Sequence, residues 1–348
     1  MCILESRLYL QDIERVSKSL GSQFPSDKIF LITGATGLIC SVVVDILVYL
    51  KNKYGLNWKI ICAVRNSEKA KNRFSYYLNE HNISFIDYDA SRECDFPDEI
   101  DYFIHGAGNA FPAAFSEKPV ETLYSNVFGL QKILTYAMDN NSRVLYISSS
   151  EVYGQLQSKE PIKEHEYGYV DLLNPRSAYP MGKRASETLC ASFIKEYNVD
   201  CVIVRPGHIY GPTASKQDNR VSSSFMYDAA NGKDLILKSK GDQVRSYCYC
   251  LDCASAILTI LFKGKTGEAY NISNKTSLCS IKEMAESFAK AGNVSLTFDI
   301  PTENEKRSFN QMLNSSLNSD KLELLGWQAV FTKQEGFVHS VKIIQEIS

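Results

Sequence analysis

Between Lys28 and Pro206 the chain alternates short β-rich runs with helical stretches, and that rhythm leaves few architectures open. The runs are KIFLITG, KIICAV, SFIDYD, DYFIHGAG, RVLYISS and CVIVRP, several of them bordered by glycine. Continuous apolar strands need cover on both faces, so the pattern predicts an α/β fold, a doubly wound parallel sheet with helices on either side. Upstream, Leu10, Ile13, Val16 and Leu20 recur at helical spacing and stop at Gly21, which predicts a helix over about residues 8–20 as a packing appendage. Past Gly211 the rhythm gives way to a polar loop, Thr213 to Ser224, and then to short strands and helices. That part is expected to form a smaller C-terminal α/β lid over the carboxyl edge of the sheet, where open α/β sheets bind ligands. The expected division is 1–26 for the helical appendage, 27–211 for the sheet domain and 212–348 mainly for the substrate side.

Composition narrows the function. With 348 residues, the chain exceeds a usual single core of roughly 100–200 residues. Its 38 Lys and Arg against 40 Asp and Glu give a net charge of −2, which offers no electrostatic footprint for nucleic acid or an anionic membrane. Residues Met1 to Leu10 lack the apolar core of a secretory signal, and the longest apolar run, Leu38 to Leu50, is broken by Asp45 and too short to span a bilayer. A cytoplasmic protein with reduced cysteines is expected. Cys248, Cys250 and Cys253 cluster, but no nearby Cys or His pair completes four ligands, so no metal is expected.

The segment ITGATGLIC sets Gly34 and Gly37 directly after a β run and at the mouth of an apolar helix. In that context a glycine turn lets backbone N–H groups meet a pyrophosphate, and Thr36, Leu38, Ile39 and the Ala107 of DYFIHGAG join it as candidate contacts to a dinucleotide. Cys40 stands where a third glycine usually allows close helix packing, and it is expected to push the helix slightly off the strand. The second strand run ends in Arg65, where an acid would be expected for the ribose hydroxyl of NAD. A guanidinium suits a 2′-phosphate instead, so NAD(P) binding leans toward NADP(H), with Lys69 and Lys71 as helpers. Asp89, after the third run, suits either an adenine-side acceptor or a helix N-cap.

Tyr179 and Lys183, in SAYPMGK, are four apart and share one face of a helix. An ammonium one turn from a phenol favours phenolate, so a tyrosine of ordinary pKa about 10 can work as a base nearer neutrality while the lysine also holds a ribose hydroxyl. The pair gains meaning beside SSSEVYG, thirty residues earlier at a strand end, because a hydroxyl there can bind the same substrate oxygen.

These motifs, together with NPRSAYPMGKRASETL, IYGP, GDQVRSY and LELLGW, make the chain resemble the extended short-chain dehydrogenases/reductases of the nucleotide-sugar epimerase/dehydratase family over about residues 28–330. PVET, SEVYG, GKRASETL and DNRVSSSF look most similar to UDP-glucuronate decarboxylases. The resemblance implies a Rossmann-like fold and a fixed opening step, in which Tyr179 takes the proton of a sugar C4 hydroxyl while the nicotinamide takes the C4 hydride. Ser149 would orient that oxygen, Lys183 would tune Tyr179, and Ser150 and Glu151 would act at C5 and C6. For the sugar nucleotide the resemblance implies Arg245 on the diphosphate, Asn219, Arg220 and Ser222 near the base and phosphates, and Asn109 and His208 on the substrate side, with Asp252 fixing the loop. It further implies a homodimer through the Tyr179 helix and the one before it, and work on precursors of surface polysaccharide.

Three departures stand against the resemblance. His208 replaces a common asparagine, Arg307 is the only substitute for the Arg-Arg-x-Pro segment that anchors a carboxylate, and Arg65 is basic where hydride-recycling members keep an acid. The expected reaction is C4 oxidation of a nucleotide hexose followed by dehydration or decarboxylation. The alternatives are an NADPH-dependent 4-keto-sugar reductase, a C4 epimerase and, outside enzymes, a non-catalytic dinucleotide sensor.

Overall fold

The computed structural model describes residues 2–78, 82–97, 99–108, 112–156, 160–299 and 314–348. Strands β1 (Asp27–Thr33), β2 (Asn57–Val64), β3 (Ile83–Asp87), β4 (Tyr102–His105), β5 (Arg143–Ile147) and β6 (Cys201–Pro206) lie where the six runs predicted them. Further along come β7 (His208–Tyr210), β8 (Leu235–Leu237), β9 (Val244–Tyr249), β10 (Ala269–Ile272), β11 (Leu278–Ser280), β12 (Leu296–Phe298) and β13 (Asn314–Ser315). The main sheet has seven parallel strands in the order β10-β6-β5-β4-β1-β2-β3.

Both faces of this sheet are dry, which explains its unbroken apolar runs. Phe30, Ile32, Ile104, Leu145, Val202 and Val204 face one core cluster, while Leu31, Phe103, Val144, Tyr146, Cys201 and Ile203 face the other. The period of two is thus kept, but apolar residues occupy both phases. The first face is covered by helices Cys40–Tyr54 and Cys250–Lys263, the second by Pro119–Asn140 and Ala178–Tyr197. Beyond residue 211 the chain therefore supplies two parts. Helix Cys250–Lys263 and strand β10 complete the main sheet, whereas the four-stranded sheet of β7, β9, β11 and β13 and the β8/β12 pair form a smaller layer above it.

The N-terminal helix spans Arg7–Ser19, capped by Ser6, whose hydroxyl accepts from the Tyr9 N–H. Tyr9, Ile13 and Val16 are buried. Its polar side chains explain the acid that interrupts the apolar run of helix Cys40–Tyr54. Buried Asp45 accepts from the Tyr9 hydroxyl at 2.6 Å, from Tyr77 at 3.1 Å and from the Arg73 guanidinium. Asp12 takes Tyr249 at 3.1 Å and His339 at 3.0 Å, Arg15 meets Glu335 at 2.8 Å, and Ser6 donates to Glu346 at 2.6 Å. Among the described residues no helix is long and apolar enough to cross a membrane.

Candidate active site

The order of the strands places the site. The chain winds outward from β1 through β2 and β3, then returns to β4 on the other side, so the two halves part between β1 and β4 and leave a crevice at their carboxyl ends. A cleft of about 1360 Å³ opens there and extends beneath the smaller layer.

Gly34 lies at φ +66°, and a Cβ on it would stand 2.8 Å from the Gly106 carbonyl oxygen at the end of β4. Only glycine fits that approach. The turn tightens through a bond from the Gly37 N–H to the Gly34 carbonyl at 2.9 Å and runs into helix Cys40–Tyr54, whose N-terminus has no side-chain cap. The Ser41, Val42 and Val43 N–H groups are taken by the Gly37 and Ile39 carbonyls, so the positive end of the helix reaches the cleft through the turn that precedes it. Gly34, Thr36, Gly37, Leu38, Ile39 and Ala107 all line the cleft. Cys40 is accommodated from the other side, because its sulfur lies 2.4 Å from where Gly106 would carry a Cβ. Thr33 locks the floor by accepting from the Gly106 and Ala107 N–H groups at 3.2 and 3.1 Å and meeting His105 Nδ1 at 2.7 Å. Thr213, from the loop above, donates to the Leu38 carbonyl at 2.7 Å.

Arg65 opens into the cleft from the end of β2, its side chain 62% exposed and 3.8 Å from Glu121. Lys69 lines the cleft with it, but Lys71 pairs with Glu68 at 3.0 Å and takes no part in the lining. Asp89 also lines the cleft. It caps a turn, not a helix, because its Oδ1 accepts from the Ser91 N–H and hydroxyl at 2.9 and 2.7 Å and no helix follows. Burial pushes its pKa up, but these bonds together with the Arg65 and Arg92 charges outweigh burial and hold it below the ordinary value.

Tyr179 and Lys183 lie on the first turns of helix Ala178–Tyr197, facing Ser149, which caps the short 3-10 turn Ser150–Tyr153 after β5. Ser149 and Tyr179 line the cleft together, and Ser149 acts to lower the pKa of the Tyr179 phenol. The phenol differs from the sequence expectation, since its pKa is raised and not lowered. Burial is the largest cause and the Glu151 charge adds to it, against the lowering by Ser149 and Arg220. The reason Lys183 does not offset this is its direction. Its ammonium donates to the Ile147 carbonyl at 2.8 Å and lies 5.9 Å from the Tyr179 ring centroid, under the ring and not at the hydroxyl. Burial brings Lys183 itself down to about 8.

Two residues of the site escaped the sequence reading. Phe115 lies flat against Tyr179, with centroids 4.9 Å apart and planes 13° apart, and the Arg176 guanidinium lies 5.7 Å from the Phe115 centroid. Arg176 stands one turn before Tyr179, a spacing that could have singled it out, whereas nothing local marks Phe115.

Ser150, Glu151, Asn219, Ser222, His208 and Arg245 also reach the cleft. Arg245 on β9 is 4% exposed and donates to the Val244 carbonyl at 2.9 Å, its pKa lowered by burial. Arg220 is forked onto Asp218 at 2.9 and 3.0 Å while still bordering the cleft. His208 Nε2 pairs with the Ser315 hydroxyl at 2.9 Å, and burial with the nearby Arg245 and Arg220 drives its pKa to about 3, so the ring is neutral. Asp252 lies outside the cleft and fixes a different loop from the one expected, accepting from the Val330 and Phe331 N–H groups at 2.7 and 3.3 Å. Asn109 and Arg307 lie outside the described residues. Cys248, Cys250 and Cys253 are buried in the core, and among the described residues no three His, Cys, Asp or Glu side chains come together to hold a metal.

Residues 30–273 match the model of the NAD dependent epimerase/dehydratase family. The chain belongs to that family. It is 26% identical over 337 residues to UDP-glucuronic acid decarboxylase 1 of Xenopus tropicalis, covering 94% of this chain and 76% of the relative. It is 28% identical over 319 residues to UDP-glucuronic acid decarboxylase 6 of Arabidopsis thaliana, covering 90% and 88%. Among solved structures, UDP-glucose 4-epimerase of Thermotoga maritima with UDP-glucose superposes at a TM-score of 0.76 and 20% identity, covering 92% of this chain and 99% of the other. UDP-glucuronic acid 4-epimerase of Bacillus cereus, in complex with UDP-glucuronic acid and NAD, gives 0.76 at 22%, covering 92% and 100%.

Proposed function

We propose that this member of the family decarboxylates a nucleotide-linked uronic acid, UDP-glucuronate being the favoured substrate, through transient oxidation at C4. The observation that carries the reading is that Ser149, Glu151, Tyr179 and Lys183 line one cleft, Ser149 and Glu151 both acting on the Tyr179 phenol. The residues fit a dinucleotide, since Gly34 packs against Gly106 where no side chain has room and the turn from Gly34 to Ile39 lines the cleft at the positive end of a helix, which suits a pyrophosphate. When bound, the dinucleotide supplies the acceptor for the C4 hydride and later returns it.

Tyr179, as phenolate, takes the proton of the C4 hydroxyl, and Ser149 holds that oxygen through the step. Oxidation leaves a ketone at C4, β to the C6 carboxylate. The C5–C6 bond then breaks, carbon dioxide leaves, and the electron pair passes into a C4 enolate that Ser149 and Tyr179 stabilise through their hydroxyls. Glu151 delivers a proton to C5, and Tyr179 returns its proton to O4 as the hydride comes back. One proton is consumed, one carbon dioxide is released, and no net oxidation occurs. Arg245 holds the diphosphate, with Arg220, Asn219 and Ser222 beside it, and neutral His208 offers a hydrogen bond to the sugar. The exposed Val120, Tyr124 and Phe128 on helix Pro119–Asn140 support a homodimer packed through that helix and the Tyr179 helix.

The test is incubation with UDP-glucuronate and mass analysis of the nucleotide product. Loss of one carbon dioxide is expected. Recovery of an isobaric 4-epimer, or loss of water from a neutral nucleotide hexose with the uronate untouched, would overturn the reading.

Arg65 favours a second reading, a reductase that draws hydride from free NADPH for a 4-keto sugar nucleotide, because a base at the end of β2 matches a 2′-phosphate. Denaturing the purified protein and identifying the released dinucleotide separates the two. A near-stoichiometric oxidised cofactor supports decarboxylation, while an empty site that oxidises added NADPH supports the reductase.

A further inference from the structure

Behind the cleft sits a charge pair that the proposed chemistry does not use. Glu187 and Arg205 are 11% and 2% exposed and bond at 2.6 Å between Oε2 and Nη2, with a second bond at 3.0 Å from Nε to Oε1. Removing two charges from water costs several kcal/mol each, so such a pair persists only where its remaining hydrogen bonds are met. They are met by the active-site segments. The Ser148 hydroxyl, next to Ser149, donates to Glu187 at 2.5 Å. Arg205 donates to the Tyr153 hydroxyl at 3.0 Å, in the turn that carries Ser150 and Glu151, and Tyr153 passes the chain on to Asn271 at 2.5 Å. Further bonds from Arg205 reach the Glu164 carbonyl at 2.7 Å and the Tyr167 hydroxyl at 2.9 Å. Glu187 is one turn beyond Lys183 on the same helix.

We propose that Glu187 and Arg205 are positioning residues that join the Tyr179–Lys183 helix to the Ser149–Glu151 turn, with Glu187 supplying the negative charge that Lys183 faces. The inference rests on the reading of Tyr179 and Lys183 as the proton-handling couple. The surroundings of Lys183 single out Glu187. On its own helix it meets Tyr179, Glu187 and Cys190; from β5 comes Tyr146, whose centroid is 4.8 Å from Nζ; from β4 comes His105, kept neutral by burial; and from helix Cys40–Tyr54 comes Cys40. Burial of the Cys40 and Cys190 thiols holds both in their neutral form, so Glu187 is the anion in this set, its charge shared with Arg205 on β6. The field of Glu187 therefore favours the ammonium against its burial.

The test compares pH profiles of kcat for wild type, Glu187→Gln and Glu187→Asp, with Tyr179→Phe alongside. The amide keeps the shape and removes the charge, so Lys183 should lose its proton sooner and the limb that Lys183 sets should move to lower pH by about half a unit or more. At neutral pH kcat should fall about tenfold with KM unchanged. Glu187→Asp should return the limb toward wild type. A Glu187→Gln profile that superimposes on wild type overturns the inference, as does an Asp variant displaced as far as the Gln one. Should Glu187→Gln not fold, Ser148→Ala decides: a fall in kcat of about threefold or more at unchanged KM supports the inference, and an unchanged kcat overturns it. Turnover retained by Tyr179→Phe would strike the underlying reading. Its loss beside an unmoved Glu187→Gln limb strikes this inference alone.

Discussion

Phe115 covers the ring of Tyr179 face to face, 4.9 Å between centroids, and so keeps water from one side of the phenol. That contact ties the burial of Tyr179, the largest cause of its raised pKa, to a residue from a different part of the chain. Phe115→Ala should let water in, bring the phenol down toward its ordinary value and move the limb of the rate profile that Tyr179 sets to lower pH. kcat should still fall about tenfold or more, because the ring also holds Tyr179 in place. The cavity should cost about 3 kcal/mol or more of stability. Unmoved limbs and full kcat would show that the ring only fills space.

Asp252 gives a stability prediction with a definite sign. Burial raises its pKa to about 7, against the lowering by hydrogen bonds from the Val330 and Phe331 N–H groups and by Arg15. Between the ordinary carboxyl value, near about 4, and about 7 the folded state holds more protons than the unfolded, so stability contributed by this group falls as pH rises across that window. The slope reaches at most about 1.4 kcal/mol per pH unit. Asp252→Asn should therefore melt above wild type at pH 8 and draw level near pH 4. A difference that stays constant across this range would refute the assignment.

Thr213 predicts how the loop above the cleft serves the dinucleotide. Its bond to the Leu38 carbonyl ties that loop to the glycine turn. Thr213→Val keeps the volume and removes the donor, which should cost about 1 kcal/mol and weaken dinucleotide binding about fivefold by calorimetry. Unchanged affinity would mean that the turn holds its shape without the loop.

Arg65→Asp should move the preference between the two dinucleotides toward NAD by about tenfold or more, because a carboxylate accepts from a ribose hydroxyl and repels a 2′-phosphate. The measurement is the ratio of dissociation constants for NADP+ and NAD+. A ratio equal to that of wild type would leave Arg65 as a solvated surface charge.

The six strands from β1 to β6 were legible because strands buried on both faces carry apolar residues in both phases, as Leu31 does between Phe30 and Ile32. β10 was not, since AYNI is four residues long and joins the sheet only through its pairing with β6. The glycine turn and the Tyr179 and Lys183 spacing could be read because each lies within one short segment. Phe115 against Tyr179 and Arg205 against Glu187 join segments far apart in sequence, and no local pattern announces them. The direction of the Tyr179 pKa was misjudged for a related reason. Helical spacing brings Lys183 to the right face, but the Ile147 carbonyl, on another strand, decides where its ammonium points.

The bonds of the N-terminal helix carry a consequence for the order in which the molecule is made. Arg15 and Ser6 find their partners in Glu335 and Glu346, over 300 positions downstream. Those two bonds must then wait until helix Lys333–Glu346 has been synthesised, whereas helix Cys40–Tyr54, which packs on the same N-terminal helix, is available far sooner. Tyr9, Asp45, Arg73 and Tyr77 all lie within the first 77 residues, so their buried cluster can close early and hold the N-terminal helix in place until its C-terminal partners arrive.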